Sequence, residues 1–244
     1  MSKYAVIGRH GLLGSALASR LGAVTSYPTK DTRVLFDFGS YTHPTFDTDP
    51  EYFMRRALAS FVEHLNLCYE RGITYVYPSS ALIYERDTQF SLFKKSMEHL
   101  AKAWRTRSLG LRIFPVYGPG DHGTVISKWS REMLRGQAPV VFGDGTQERD
   151  FIYIDDVVDQ ILLAVGDGKT GTLDIGTGER TPFNRIVDLI NEQLGTHIEA
   201  RHIERPVNYP EGIACPSPLP FKVNIENGIR KVLASLAKES ALVG

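Results

Sequence analysis

The chain has 244 residues, 42% hydrophobic and 23% charged, with 28 basic and 28 acidic side chains. This is the profile of a globule able to bury a sizeable core, as one large domain or a domain with a small appendage. Zero formal net charge without a basic run or stripe argues against a nucleic-acid or anionic-membrane partner, and no apolar run approaches membrane-spanning length.

Tyr4-Ala5-Val6-Ile7 reads as a strand and Ser15 to Leu21 as a helix, so Gly8-Arg9-His10-Gly11-Leu12-Leu13-Gly14 is a strand-to-helix turn. Gly8 and Gly11 let a pyrophosphate approach the backbone, the amides at the helix start bind it, and Gly14 lets the helix pack close on the strand. The spacing G-x-x-G-x-x-G differs from the simplest dinucleotide fingerprint, G-x-G-x-x-G. Ala23 to Tyr27 reads as a second strand, closed by Pro28. An acid for an adenosine ribose belongs near here. Either Asp31 serves, or Lys30 and Arg33 hold a 2′-phosphate, so the cofactor is NAD or NADP.

Arg33 to Gly39 is a third strand, and it comes too soon for a full crossover helix before it. Residues 39–50 read as a loop and 51–71 as a long helix. Phe53, Ala57, Phe61, Leu65 and Cys68 form its apolar stripe, broadened by Leu58, Val62 and Tyr69, which calls for two packing partners. Ile73 to Tyr77 is a strand ending at Pro78-Ser79-Ser80, where hydroxyls at a strand's carboxyl end are well placed for a ligand. A helix through Met97, Leu100 and Trp104 follows, and Gly110 opens the strand Leu111–Phe114.

Beyond it the elements shorten. Val125 to Leu134 is a helix; Pro139 to Phe142, Phe151 to Ile154 and Thr172 to Gly176 are strands. Asp155-Asp156 cap a helix to Val165, and Thr181 with Pro182 at the first helical position opens another. The last part holds a strand at 198–203, a proline-rich loop at 206–220 and a helix at about 225–236. Strands alternating with helices predict an α/β doubly wound parallel sheet, Rossmann-like, with a small C-terminal substrate-binding portion. The expected dinucleotide-binding domain is residues 1–118 with parts of 150–176; the smaller portion is 119–149 and 177–244. Cys68 in an apolar helical pattern suggests a buried thiol in the cytoplasm, and no signal peptide opens the chain. No metal site is expected.

Several stretches together resemble the extended short-chain dehydrogenase/reductase family, the nucleotide-sugar epimerases and dehydratases, over roughly residues 3–195. They are the glycine turn, Tyr75 to Tyr84, Leu111 to Gly120, Leu173 to Gly178 and, the longest match, Val141 to Val157. The resemblance implies that residues Gly8, Arg9, His10, Gly11, Leu12, Leu13 and Gly14, with Lys94, hold the dinucleotide. It implies that Ser80 is the catalytic serine, and that Ser80, Arg149 and Tyr117 face a nucleotide sugar, with Arg149 on its diphosphate.

The family's catalytic tyrosine precedes its lysine by four residues, and a glutamate follows four later. Lys94 and Glu98 fit that spacing, but Phe90 stands in the tyrosine's place and Pro115 in that of a substrate-binding asparagine. Tyr84, His10 and Lys94 are the candidate substitutes. Two readings follow: an NAD(P)-dependent epimerase, dehydratase or reductase with an atypical site, or a non-catalytic dinucleotide or nucleotide-sugar binder derived from one. A homodimer through helices 51–71 and 90–106 is expected.

Overall fold

A computed structural model describes residues 2–39, 48–85, 87–207, 209 and 212–243. Most of the loop expected over 39–50, and part of that over 206–220, lies outside these residues. The chain divides into two compact units, Met1–Ile113 with Val158–Ile175, and Phe114–Val157 with Gly176–Gly244.

The first unit is built on a parallel sheet of Tyr4–Ile7 (β1), Val34–Asp37 (β2), Thr74–Pro78 (β3), Ser108–Ile113 (β4) and, later in the chain, Gly171–Ile175. With Val116–Tyr117 (β5), Val140–Phe142 (β6), Glu148–Arg149 (β7) and Ile152–Tyr153 (β8) intervening, that last strand is β9. The order is β1-β2-β3-β4-β9, every neighbouring pair parallel, with Tyr4 opposite Val34 and Ile7 opposite Asp37. This is the Rossmann-like α/β architecture expected. Alternation along the strands divides the side chains between two faces. Ala5, Leu35, Tyr75 and Tyr77 join a core with Phe61, Leu65 and Cys68 of Pro50–Arg71 and with Phe90, Phe93 and Met97 of Gln89–Ala103. The glycine-turn helix, Leu12–Leu21 (α1), buries Leu17 apart from that cluster, and Arg20 pairs with Asp159 at 2.5 Å.

The long helices have strong ends. Helix 50–71 (α2) carries Asp49 as N-cap, accepting from the Tyr52 amide, Pro50 in its first turn, and Gly72 in the left-handed region as C-cap. Helix 89–103 (α3) starts with a reciprocal capping box between Thr88 and Ser91.

In the second unit Val125–Leu134 (α4), Ile154–Gly166 (α5, which continues into the first unit), Phe183–Leu194 (α6) and Ile225–Val243 (α7) accompany three two-stranded pairings. β5 pairs with β8. β7 pairs with Thr181–Pro182 (β10), and β6 with Arg201–Ile203 (β11). Trp129 of α4 meets the edge of Phe183 at 5.5 Å. Asp150 ties the unit together: fully buried, it accepts from the amides of Thr177, Gly178 and Cys215 at 2.8–3.0 Å and from the Thr177 hydroxyl at 2.6 Å.

Several local expectations give way. The strand expected at 23–27 is a single bridge, Thr25 to Ala5, because too few residues follow it to return the chain for a full ladder. Gly110 lies inside β4 rather than before it; a Cβ there would stand 2.7 Å from the Tyr77 ring. Thr181 and Pro182 form a strand, with Pro182 as the N-cap of α6. Asp155 and Asp156 fall in the first turn of α5 rather than before it, and Asp156 accepts from the amides of Lys222 and Val223. Helix α7 runs beyond 236 to Val243.

Replacing Asp150 with alanine strands the buried amides of Thr177 and Cys215 and the half-buried amide of Gly178. At about 1–3 kcal/mol for each unsatisfied group, Asp150→Ala is expected to cost at least about 3 kcal/mol in urea unfolding.

Candidate functional site

The glycine turn sits at the carboxyl end of β1. Gly8, at φ +76°, is needed for packing rather than for ligand approach, since a Cβ there would lie 2.4 Å from the Phe38 backbone; one on Gly14 would lie 2.2 Å from the Gly8 oxygen. At Gly11 only the Gly8 oxygen, at 3.5 Å, limits the space. Gly11 is the N-cap of α1 and provides no side-chain cap, so the first amides of the helix receive no side-chain acceptor from it. Arg9, His10 and Gly11 are exposed. A diphosphate fits this helix start through backbone amides and the helix dipole.

The adenosine end is different. Arg33 donates its amide to Lys3 O, before β1 begins, so its backbone lies at the amino edge of the sheet. Four residues of strand at about 3.3 Å each separate that edge from the turn. The backbone of Arg33 is thus set back from the glycine turn.

Ser79 and Ser80 follow β3 with different roles. The Ser80 hydroxyl accepts from the Leu82 amide and caps the 3-10 turn Ala81–Tyr84. The Ser79 hydroxyl donates to Glu98 at 2.5 Å. Lys94 is 2% exposed; its Nζ donates to Pro78 O at 2.9 Å and stands 5.4 Å from the centre of the buried Phe90 ring. The structure therefore joins Lys94, Phe90 and the β3 end that carries the serines. Burial pulls the Lys94 pKa down to about 8, against the opposing charge of Asp37.

Tyr84 is committed elsewhere. Its hydroxyl donates to Asp174 at 2.8 Å and accepts from Arg112 at 2.5 Å, while Arg112 holds Glu98 with two nitrogens at 3.0 and 2.7 Å. Partial burial and the Asp174 carboxylate raise the Tyr84 pKa, the reverse of what a phenolate base requires. Both bonds and the raised pKa disfavour Tyr84 as a base in this arrangement.

In the second unit Arg149 leaves β7 with Nη1 on Glu148 O at 2.7 Å and its guanidinium 5.5 Å from Phe183 and 5.3 Å from Tyr209. Arg205 also lies against Tyr209, at 5.4 Å. Two guanidiniums around one aromatic ring suit a diphosphate beside a planar base. Tyr117 is packed inside the second unit. It is fully buried, and a Cβ on Gly228 would stand 1.9 Å from its hydroxyl.

A polar cluster was missed in the sequence. Asp37, at the end of β2, accepts from His64 Nδ1 and from the Tyr75 hydroxyl, both at 2.8 Å. Burial alone would raise its pKa, but the bonds from His64 and Tyr75 outweigh it and hold the carboxyl below its ordinary value. The available signal was an aspartate in an otherwise apolar strand and a histidine beside the apolar stripe of α2.

Residues 35–176, more than half of the chain, match the NAD dependent epimerase/dehydratase family. Over 94 residues the chain is 40% identical to a Methanocaldococcus jannaschii protein named "Putative UDP-glucose 4-epimerase"; that stretch is 37% of this chain and about 30% of the relative's length. A UDP-N-acetylglucosamine 4-epimerase from Methanobrevibacter ruminantium, in complex with UDP-N-acetylmuramic acid, superposes with a TM-score of 0.87 at 18% identity, covering 97% of this chain and 98% of the other. A Thermus thermophilus UDP-glucose 4-epimerase in complex with NAD gives 0.83 at 18%, covering 97% and 99%. At such identities the superpositions show a shared fold.

Lys94 generates a pH prediction. Its pKa is about 8 in the folded chain against 10.5 for a free side chain. Between these values the unfolded chain holds more protons, so stability rises with pH; below about 8 the full cost of burying the charge applies. Lys94→Met is expected to remove that rise and to stabilise the chain at neutral pH by on the order of 3 kcal/mol. Urea unfolding from pH 7 to about pH 10 measures both effects.

Proposed function

The chain belongs to the NAD dependent epimerase/dehydratase family, and on that premise we propose that it is an NAD(P)-dependent enzyme acting on a nucleotide-activated sugar. The observation that carries this reading is the buried Lys94, held at the Pro78 carbonyl directly before Ser79 and Ser80. The helix start at Gly11–Gly14 binds the cofactor diphosphate, and the bound nicotinamide supplies a hydride acceptor. Lys94 would help hold the cofactor ribose. The Ser80 hydroxyl, released from the Leu82 amide, holds the sugar oxygen as charge develops on it. In the second unit Arg149 and Arg205, with Tyr209 against both, would hold a diphosphate. The complexes of the relatives with NAD and with a UDP-linked ligand support this choice.

A second reading, a binder without turnover, is favoured by one observation: the buried Phe90 ring occupies the tyrosine's position beside Lys94. In both readings the protein is a cytoplasmic homodimer through α2 and α3. Exposed Tyr52, Tyr69 and Leu92 on those helices support the interface, and free, buried Cys68 and Cys215 suit a reducing compartment. Among the described residues no helix is long and apolar enough to cross a membrane.

Calorimetry with NAD, NADP and UDP-glucose tests binding, and turnover tests catalysis. Arg149→Ala is expected to weaken UDP-glucose binding at least about tenfold, the value of one lost charge-assisted contact. Under the second reading, Phe90→Tyr is expected to raise turnover by about 10²–10⁴, the usual contribution of a positioned acid–base group. Absence of binding by NAD, NADP and UDP-glucose alike would sink both readings.

A further inference from the structure

The missing tyrosine leaves the site short of a proton acceptor, and the first unit holds one that the sequence pattern did not single out. A cavity of about 240 Å³ opens at the carboxyl ends of β1, β2 and β3, lined among others by Asp37, His64, Tyr75, Ser60, Pro78 and Met97. Ligands of open α/β sheets bind at this end of the strands. The cavity adjoins Lys94: Pro78, which lines it, accepts the Lys94 ammonium, and Met97 follows one turn later on α3. The charge of Asp37 is felt at Lys94. Ser60 and His64 lie four residues apart on α2, on one face of the helix.

The hydrogen bonds fix how His64 is presented. An ionised carboxylate only accepts, so the nitrogen facing Asp37, Nδ1, carries the proton in the neutral ring. The other nitrogen, Nε2, is then a lone-pair acceptor, and among the described residues it has no hydrogen-bond partner. His64 is only 8% exposed. The nitrogen itself is not sealed from solvent, so a donor from outside the chain can reach it. A ligand hydroxyl in the cavity would satisfy it.

We propose that His64, oriented by Asp37, is the proton acceptor of this enzyme, doing for a sugar hydroxyl what the absent tyrosine does elsewhere. This rests on the reading given under Proposed function. As the sugar C–OH becomes C=O, the hydroxyl proton would pass to Nε2, and the hydride of the same carbon would pass to NAD(P) when it is bound; the reverse step would return both. Asp37 and Tyr75 are positioning residues. Asp37 fixes the tautomer, and the Tyr75 hydroxyl holds the same carboxylate oxygen. The other groups around the ring are Tyr27, 6.3 Å away centre to centre, and Arg56, which lines the cavity mouth from the same helix.

The test uses the full chain with NAD and UDP-glucose in four forms: native, His64→Gln, Phe90→Tyr and the double variant. His64→Gln should lose about 10²–10⁴ in turnover while still binding NAD, and Phe90→Tyr should restore it in the double variant. His64→Gln turning over within a few-fold of native, or no rescue by Phe90→Tyr, overturns the proposal. So does a native chain that binds NAD and UDP-glucose without turning over, although the binding reading then survives; failure to bind either would defeat that reading instead.

Should His64→Gln not fold, nitrogen NMR of the native imidazole decides. A proton on Nδ1, and an Nε2 resonance that moves when UDP-glucose is added to the NAD-loaded chain, supports the assignment. A proton on Nε2, or no response, overturns it. In Asp37→Asn the proton should move to Nε2 with loss of turnover.

Discussion

The first unit depends on one close approach of backbone to backbone. Gly8 turns the chain out of β1 directly against Phe38, just past the end of β2, and Gly14 brings α1 back onto Gly8. A Cβ at either position would collide with main-chain atoms that cannot yield. This double contact sets the depth of the turn and the start of α1. It also sets where β2 ends, and hence where the Asp37 side chain enters the layer between the sheet and the helices α2 and α3.

That layer is otherwise apolar, and it carries charge at an energetic cost. Asp37 and Lys94 are both buried there among Phe61, Phe90, Phe93 and Met97. A buried charge must be paired or hydrogen-bonded to be tolerated. Asp37 is held by an imidazole, a phenol and the Gly39 amide. Lys94 bonds to a carbonyl, and desolvation wins over the attraction of Asp37. Phe90 fills the position where a hydroxyl would have made a further polar partner. The site thus keeps an ammonium and gains a carboxylate–imidazole pair, and proton traffic in the proposed reaction shifts from α3 to α2.

The contrast with the second polar network is instructive. Arg112, Glu98, Ser79, Tyr84 and Asp174 satisfy one another through short hydrogen bonds. Each hydroxyl in it is engaged, and the carboxylate beside Tyr84 keeps that phenol protonated. Such a network stiffens the ends of β3, β4 and β9 rather than supplying a base. His64 differs in having one ring nitrogen committed and the other open.

Much of the chain was legible as sequence. Glycine and proline punctuation, with the apolar periods of the long helices, located β1, α1, β2, α2, α3 and α6, because those signals are local and strong. The spacing of Phe90, Lys94 and Glu98 was likewise visible, since one helix carries all three. Short elements were not: Thr25 makes one bridge, and Thr181-Pro182 pairs with β7 across more than thirty residues of chain, which no local propensity encodes. The same limit applied to side chains. Nothing in the order of residues tells that Asp37, His64 and Tyr75 share one oxygen, that the Arg33 backbone sits at the far edge of the sheet, or that Tyr117 lies under Gly228. Sequence determined which residue types and which periods were present. Tertiary structure decided which polar groups lost their water and which partner replaced it, because burial and pairing are set by strands and helices that meet only after the chain has folded.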